Sequence, residues 1–418
     1  MKALILSIGD ELLIGQTVNT NASYIADKLT EAGADVKKVV TVGDELDEIV
    51  TDIKAGLKNY DIVIATGGLG PTHDDITREA VLKAFDTRLV LSETVLEDIR
   101  ERFRKYNRQM SPVNESQAMV PETAEVIRNE AGTAPGFWIE QNKKYFACMP
   151  GVPHEMKLMM DNFIIPKIRS LKKSGGTVSK RLNLLTTGIP ESTLYQRLIP
   201  LEEIIEDAKL AFLPNVYGVK MRITATGANE ADADEKLIRI EQRMRSVVGR
   251  FIYSRAEEEL SVVLGRLLKE RTLTISVAES CTGGLICDEI TNISGSSKYF
   301  ERGIIAYSNA AKVEILHVDE DLIAAKGAVS EECCAEMAKG VRAISGTDLG
   351  LSITGILGPT GATTTKPVGL TYIGIADSEK VVVKKFNFAD NRINNKKRAT
   401  HAALELVRRF LLGIQIEP

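Results

Sequence analysis

The sequence predicts an α/β protein in which two doubly wound-type α/β domains are joined by a small α+β domain. Three observations carry this. Short apolar, β-branched runs alternate with amphipathic segments over the first third of the chain, and the same texture returns after Glu257. Between Thr177 and Ser254, strand runs alternate with strongly charged helices, without a glycine-rich loop. The length of 418 residues corresponds to two to three domains. The expected domains are 1–171, 177–254 and 255–418, with the polar, glycine-bearing stretch Lys172–Gly176 as the first linker.

Leu4–Ile8 is the first expected strand. Asn19, Thr20 and Asn21 then cap a helix that stops at Gly33, and Val36–Val42 is the second strand. Leu46, Ile49, Val50, Ile53 and Leu57 recur at helical spacing, and Asp61–Thr66 is a short apolar strand suited to a sheet interior. The βαβαβ order places a site outside the strand C-termini. Two loops occupy that rim. One is Gly9–Leu13, with Asp10 and Glu11. The other runs from Thr66 through Gly67, Gly68, Gly70 and Thr72 to His73, Asp74 and Asp75, ahead of a helix from Ile76 to Phe85. Glycine-rich backbone suits phosphate oxygens, and adjacent carboxylates suit a bridging divalent cation; equally, Asp74 or Asp75 serves as a plain helix cap. His73 stands without partner residues for a metal. Helical segments are expected at Glu93–Tyr106 and Glu115–Met119, strands at Gly136–Glu140 and Lys144–Ala147, and a helix from the Pro153 turn to Leu171.

The middle segment reads as strands Arg181–Thr187 and Lys220–Ala225 with helices Glu191–Leu198 and Ala231–Val248. The last domain opens with an amphipathic helix through Leu260, Leu264 and Leu268. The strand Leu273–Val277 then enters Ala278-Glu279-Ser280-Cys281-Thr282-Gly283-Gly284, and a helix carrying Ile286 and Ile290 follows. Ser280 thus sits where a strand turns into a helix, beside amide donors that could cradle an oxyanion or a phosphate. A helix cap is the plainer reading of the same hydroxyl. A second strand, Gly303–Tyr307, leads through Ser308 and Asn309 into a helix bearing Lys312. Neighbouring parallel strand ends converge, so Lys312 and Tyr307 are placed to face Ser280; the plainer reading of Lys312 is an exposed helix lysine. A lysine acts as a base only where burial lowers its pKa. His317 and His401 lie on helical patterns without flanking glycine turns. The strand Leu349–Thr354 ends in a loop with Gly355 and Gly358. Strands Leu370–Ile375 and Val381–Phe386 precede Arg392, whose guanidinium suits a phosphate or carboxylate, and the closing helix carries Leu404, Val407 and Leu411.

Composition narrows the classes. Lys and Arg number 53 against 57 Asp and Glu, a formal charge of −4 that argues against a general grip on nucleic acid. Five scattered cysteines without a CxxC pair point to reduced thiols in a cytoplasm. No signal peptide or membrane-length apolar run is expected.

These motifs resemble the CinA (competence/damage-inducible protein A) family over the whole chain. Gly9-Asp10-Glu11-Leu12, Thr66–Thr72 with Asp74 and Asp75, and Met149–Pro153 resemble its molybdopterin-binding-like domain. Ala278–Gly284, Tyr307-Ser308-Asn309 with Lys312, Gly327–Ser330 and Lys366–Gly369 resemble its nicotinamide mononucleotide deamidase domain. The resemblance implies hydrolysis of nicotinamide mononucleotide to nicotinic acid mononucleotide and ammonia. Ser280 would be the nucleophile, Lys312 the base, Tyr307 a proton relay and Arg392 an assisting cation. Cys281, Thr282, Gly283, Gly284, Asn309, Gly355 and Gly358 would line the substrate, and no cofactor is implied. For the N-terminal domain it implies ADP-ribose cleavage to AMP and ribose 5-phosphate with cobalt or magnesium at Asp74 and Asp75, and potassium as a further option. Asp10, Glu11, Asn19, Thr66, Gly67, Gly68, Gly70 and Thr72 would surround that nucleotide. A KH-like middle domain and a homodimer are also implied, with no nucleic acid or membrane partner. The alternative is a nucleotide-sensing protein whose N-terminal domain binds pterin or nucleotide without hydrolysis. Leu357 departs from the small residue expected there and would either reshape the pocket or point into the core.

Overall fold

The computed structural model describes residues 1–72, 75–171 and 178–415. The linker expected at Lys172–Gly176 lies outside them, as do His73 and Asp74. The chain divides into two compact units, Met1–Ser179 with Gly227–Glu230, and Lys180–Thr226 with Ala231–Pro418.

The first unit contains strands β1 (Lys2–Ile8), β2 (Asp35–Val42), β3 (Ile62–Thr66), β4 (Leu89–Leu91), β5 (Met119–Pro121), β6 (Glu125–Ile127), β7 (Gly136–Gln141) and β8 (Lys144–Met149). Six of them form one sheet in the order β2-β1-β3-β8-β7-β6. The first four are mutually parallel, and β7 and β6 add antiparallel at the edge. Alternation along β1 explains the layering. Leu4, Leu6 and Ile8 pack with Ile49 and Ile53 on one face, while Ala3 and Ile5 pack with Ile25 and Leu29 on the other. Both faces are therefore covered by helices, as the apolar strands require. The helix expected at Glu115–Met119 is instead a four-residue helix, Pro112–Glu115, opened by a Ser111/Asn114 capping box, then a 3₁₀ turn, Ser116–Ala118. Met119 already belongs to β5, which pairs with β4. Three-residue strands are too short to show a period, which is why β4, β5 and β6 escape the sequence pattern.

The second unit holds all but the end residues of β9 (Val178–Thr186) and β11 (Val219–Gly227), with β10 (Lys209–Pro214) and β12 (Ile252–Ser254), in the sheet order β10-β11-β9-β12. Val219, Met221, Ile223 and Ala225 face one side of β11, where Leu237, Ile240, Met244 and Val248 of the helix Glu230–Val248 cover them. One helical layer on one sheet face makes this an α+β module. The remaining strands are β13 (Ile275–Glu279), β14 (Phe300–Ile305), β15 (Leu349–Gly355), β16 (Leu370–Ala376) and β17 (Val381–Asn387), ordered β14-β13-β15-β16-β17. β14, β13 and β15 are parallel; β16 and β17 add as an antiparallel hairpin closed by the Asp377–Lys380 turn. The helices Glu331–Ser345 and Arg392–Leu412 cover this sheet. The former buries Cys334 and Met337 completely, in accord with packing roles. Among the described residues no helix is long and apolar enough to cross a membrane.

Candidate active site

β13 and β14 are parallel neighbours, so the turns that leave them lie side by side. Ser280, 8% exposed, follows β13, and Gly283 (φ +59) and Gly284 (φ +97) continue the turn with left-handed backbone that a Cβ would strain. The helix Leu285–Thr291 begins immediately after. Its first amides are already taken. Glu279, fully buried, accepts from Gly284 N (2.9 Å), Ile286 N (3.2 Å) and Cys287 N (2.9 Å). The expectation that this helix N-terminus faces the ligand with free donors is therefore corrected, because an internal carboxylate satisfies them. Ser280 N donates to Ile353 O at 3.1 Å, which locks the turn to β15. The amides of Cys281 and Thr282 are the two left without an acceptor on another residue, among the described residues. These two are the donors available to an oxyanion formed at Ser280.

Lys312 comes from the helix Asn309–Leu316, which follows β14 and is capped by Ser308 through Ala311 N. It is 1% exposed, so the exposed-helix reading is overturned. Its Nζ lies 3.2 Å from Ser280 Oγ, 2.8 Å from Ala306 O and 3.3 Å from Tyr307 O. Burial pulls its pKa below the ordinary lysine value, outweighing the opposite effect of the nearby Cys333 and Cys281 thiols. A neutral amine has two hydrogens and one lone pair. The two carbonyls accept the hydrogens, and the lone pair is left for the serine hydroxyl. The pH dependence follows. Any reaction that uses this amine as its base should rise with pH through the lowered Lys312 pKa and then level, because the base form does the work. Between that value and the usual lysine range the unfolded chain binds more protons, so stability gains with pH in the same window and is lost as pH falls through the folded value. A pH–rate profile that instead falls over that rise would exclude a neutral lysine base.

The other expected residues divide. Tyr307 places its carbonyl on Lys312, but its ring is 63% exposed and its hydroxyl lies 3.5 Å from Arg392 Nη2. A proton relay through that hydroxyl has no hydrogen bond to either dyad member; the strand end turns the carbonyl inward and the side chain outward. Arg392 spends its other arm on Gly358 O at 2.6 Å. Gly355 ends β15, and Asn309 is exposed at the first position of its helix. Thr282 is buried and its hydroxyl has no partner among the described residues, while Cys281 joins the core, where burial pushes its thiol up to about 12. Leu357 is 2% exposed within the core, which settles its direction.

In the first unit a cavity of about 370 Å³ opens at the ends of β1 and β3. Glu11, Gly67, Gly68, Gly70 and Asp75 line it, as do Asp44 and Glu155, whose roles the sequence did not disclose. A Cβ on Gly67 would stand 2.0 Å from Ile8 O, so close strand approach dictates that glycine. Asp75 is held by Thr72, through the backbone amide at 2.9 Å and through the hydroxyl. Asp10 exchanges backbone–carboxylate bonds with Asp44 (3.0 and 3.1 Å). Thr66 Oγ1 donates to Pro150 O at 3.0 Å, and Asn19 caps the helix Thr20–Glu31 through Ala22 N, so both act on the framework. Gln117, 2% exposed, lines the same cavity with neither amide atom partnered among the described residues. Among the described residues no three His, Cys, Asp or Glu side chains group to hold a metal. Asp75 fits a magnesium-type ion that takes one or two carboxylates and completes its shell from phosphate and water.

Residues 4–170 match the "Probable molybdopterin binding domain", residues 181–254 the "Damage-inducible protein CinA KH domain" and residues 257–411 the "CinA C-terminal domain". A CinA-like protein of Kosmotoga olearia is 42% identical over 414 residues, covering 99% of this chain and 100% of its own. One from Chloroherpeton thalassium is 41% identical over 420 residues, covering 98% and 99%. The chain belongs to the CinA family. A solved CinA structure from Thermoplasma acidophilum, 36% identical, covers 40% of this chain and 97% of its own with a TM-score of 0.37. Within this CinA chain, Glu279 is a further residue whose place at the serine turn sequence reasoning missed. The available signal was a carboxylate closing a strand otherwise built of apolar and small residues.

Proposed function

We propose that the C-terminal domain is a Ser–Lys amidohydrolase that converts nicotinamide mononucleotide to nicotinic acid mononucleotide and ammonia. The observation that carries this reading is a buried lysine amine held by two carbonyls, its pKa lowered by that burial, with Ser280 Oγ as its third neighbour. Lys312 removes the hydroxyl proton as Ser280 Oγ bonds to the amide carbon, and the Cys281 and Thr282 amides hold the oxyanion. The Lys312 ammonium returns that proton to the departing nitrogen, which leaves as ammonia. Water, deprotonated by the same amine, then cleaves the ester and releases the carboxylate. Arg392 stands at the rim, where a guanidinium suits the nucleotide's phosphate. Ammonia release from nicotinamide mononucleotide by the purified chain, absent in Ser280→Ala, is the direct test.

For the N-terminal domain we propose ADP-ribose cleavage to AMP and ribose 5-phosphate with a divalent ion at Asp75. Asp74, the second expected ligand, lies outside the described residues. The ion would supply charge neutralisation on the pyrophosphate, while the amides around Gly67, Gly68 and Gly70 would receive its oxygens. Asp75→Ala should reduce magnesium- or cobalt-dependent AMP release at least a hundredfold while ammonia release stays within twofold. Retention of AMP release would favour the second reading, a pterin- or nucleotide-binding domain without hydrolysis. The grip of Thr72 on Asp75 leaves room for that reading, since it occupies one carboxylate oxygen.

A further inference from the structure

A cavity of about 430 Å³ opens in the second unit between the four-stranded sheet and the helix Arg392–Leu412, and shares no lining residue with the serine turn, Lys312 or the glycine cleft. Its volume falls in the range that encloses one small ligand. Its walls are aromatic. The Phe386 and Phe388 rings stack at 5.6 Å and 6°, and Tyr217 lies over the His401 ring at 5.0 Å. Arg398 and Arg409 line it beside the carboxylate of Glu405. That carboxylate is already committed to Arg408 and Arg409, each at 2.7 Å, and Arg398 pairs with the partly buried Asp390 at 3.4 Å.

The interior of this region is short of partners. His401 Nε2 is buried without a hydrogen bond among the described residues, and burial pushes its imidazole down to about 4, so the ring is neutral at physiological pH. Tyr217 and His401 also border an adjoining cavity of about 140 Å³, where Ser261 Oγ and Thr400 Oγ1, both in side chains 3% exposed, are unpartnered too. Three orphaned polar atoms around one aromatic partition are unusual in a folded chain, where buried polar groups normally find partners. A ligand carrying ring nitrogens, with water, would supply them. Flat rings that stack, the Arg398 guanidinium in the wall and a neutral imidazole together select an aromatic anion over a sugar or an aliphatic acid.

We propose that this cleft is a nucleotide site distinct from both hydrolytic centres, taking a nucleoside monophosphate with its base against the Tyr217, His401 and Phe386 wall and its phosphate toward Arg398. The bounded volume favours a single nucleotide over a polynucleotide track, and the net charge of −4 agrees.

The probe is 8-azido-AMP, photolysed on the full-length chain and followed by peptide mapping. Labelling is expected in the peptides bearing Tyr217 or Phe386–His401, with protection by excess AMP and at least tenfold weaker protection by adenosine, which lacks the phosphate. Ala402→Trp, which fills the cleft from its helical wall, should reduce that labelling at least tenfold and leave labelling elsewhere unchanged. If Ala402→Trp does not give native circular dichroism, Arg398→Gln, at a side chain 38% exposed, carries the test with a tenfold loss of AMP protection. Labelling confined to other peptides, or unmoved by Arg398→Gln, overturns the proposal. So does displacement of the label by single-stranded RNA and not by AMP, which would mark a polynucleotide groove.

Discussion

Lys312→Met is expected to lower ammonia release from nicotinamide mononucleotide about 10⁴-fold or more, with the chain still folded. Methionine fills a similar volume, and at 1% exposure an apolar side chain suits the site better than a cation would. The cost is confined to the Ala306 and Tyr307 carbonyls, which lose a donor at about 1 kcal/mol each. What disappears is the lone pair that accepts the Ser280 proton. Lys312→Arg should be as inactive, since a guanidinium keeps its protons at any working pH. Ser280→Ala should match both, and the Ser280→Ala/Lys312→Met double variant should be no worse than either single one, because groups that act as a unit lose their contribution together. A coupled ammonia assay decides. Near-normal turnover in any of the three single variants would remove the dyad from the mechanism.

Glu279→Ala is expected to destabilise the chain by about 3 kcal/mol or more and to abolish activity without touching the reacting groups. Its carboxylate accepts three backbone N–H groups, from Gly284, Ile286 and Cys287, in a fully buried setting. Each buried amide left unpaired costs about 1–3 kcal/mol. The helix start would also lose the negative charge that meets its dipole. Glu279→Gln keeps one acceptor oxygen but turns an NH₂ toward the remaining donors, so it should fall between wild type and alanine. Chemical denaturation gives the stability and ammonia release the activity. An alanine variant within about 0.5 kcal/mol of wild type would mean that the serine turn is held by something else.

The layered α/β architecture was legible because buried parallel strands must be apolar and their covering helices amphipathic, as β1 and β3 with their flanking helices illustrate. The serine turn and the lysine helix were legible for a related reason: each follows a strand, and strand ends are where an open α/β sheet exposes its backbone. The short strands β4, β5 and β6 were not, because three residues carry no period. Tyr307 was expected to act through its hydroxyl, yet its carbonyl is what meets Lys312, because a sequence names a residue without saying whether its carbonyl or its ring turns inward. Asn19 and Thr66 were placed around the nucleotide by resemblance, and their side chains bond Ala22 N and Pro150 O of the framework. The middle and C-terminal domains, separate in composition, form one compact unit, which no local pattern announces.

By itself the amino-acid sequence determined the alternation of the longer strands and helices and the candidate pair Ser280 and Lys312, since these depend on neighbours a few residues away. Only the tertiary structure decided that Lys312 is sealed from water between two carbonyls, and that Glu279 consumes the amides which the turn had seemed to offer. Burial and hydrogen bonding are set by residues distant in the chain. A lysine's charge and an amide's freedom therefore become fixed only when β13, β14 and β15 lie side by side.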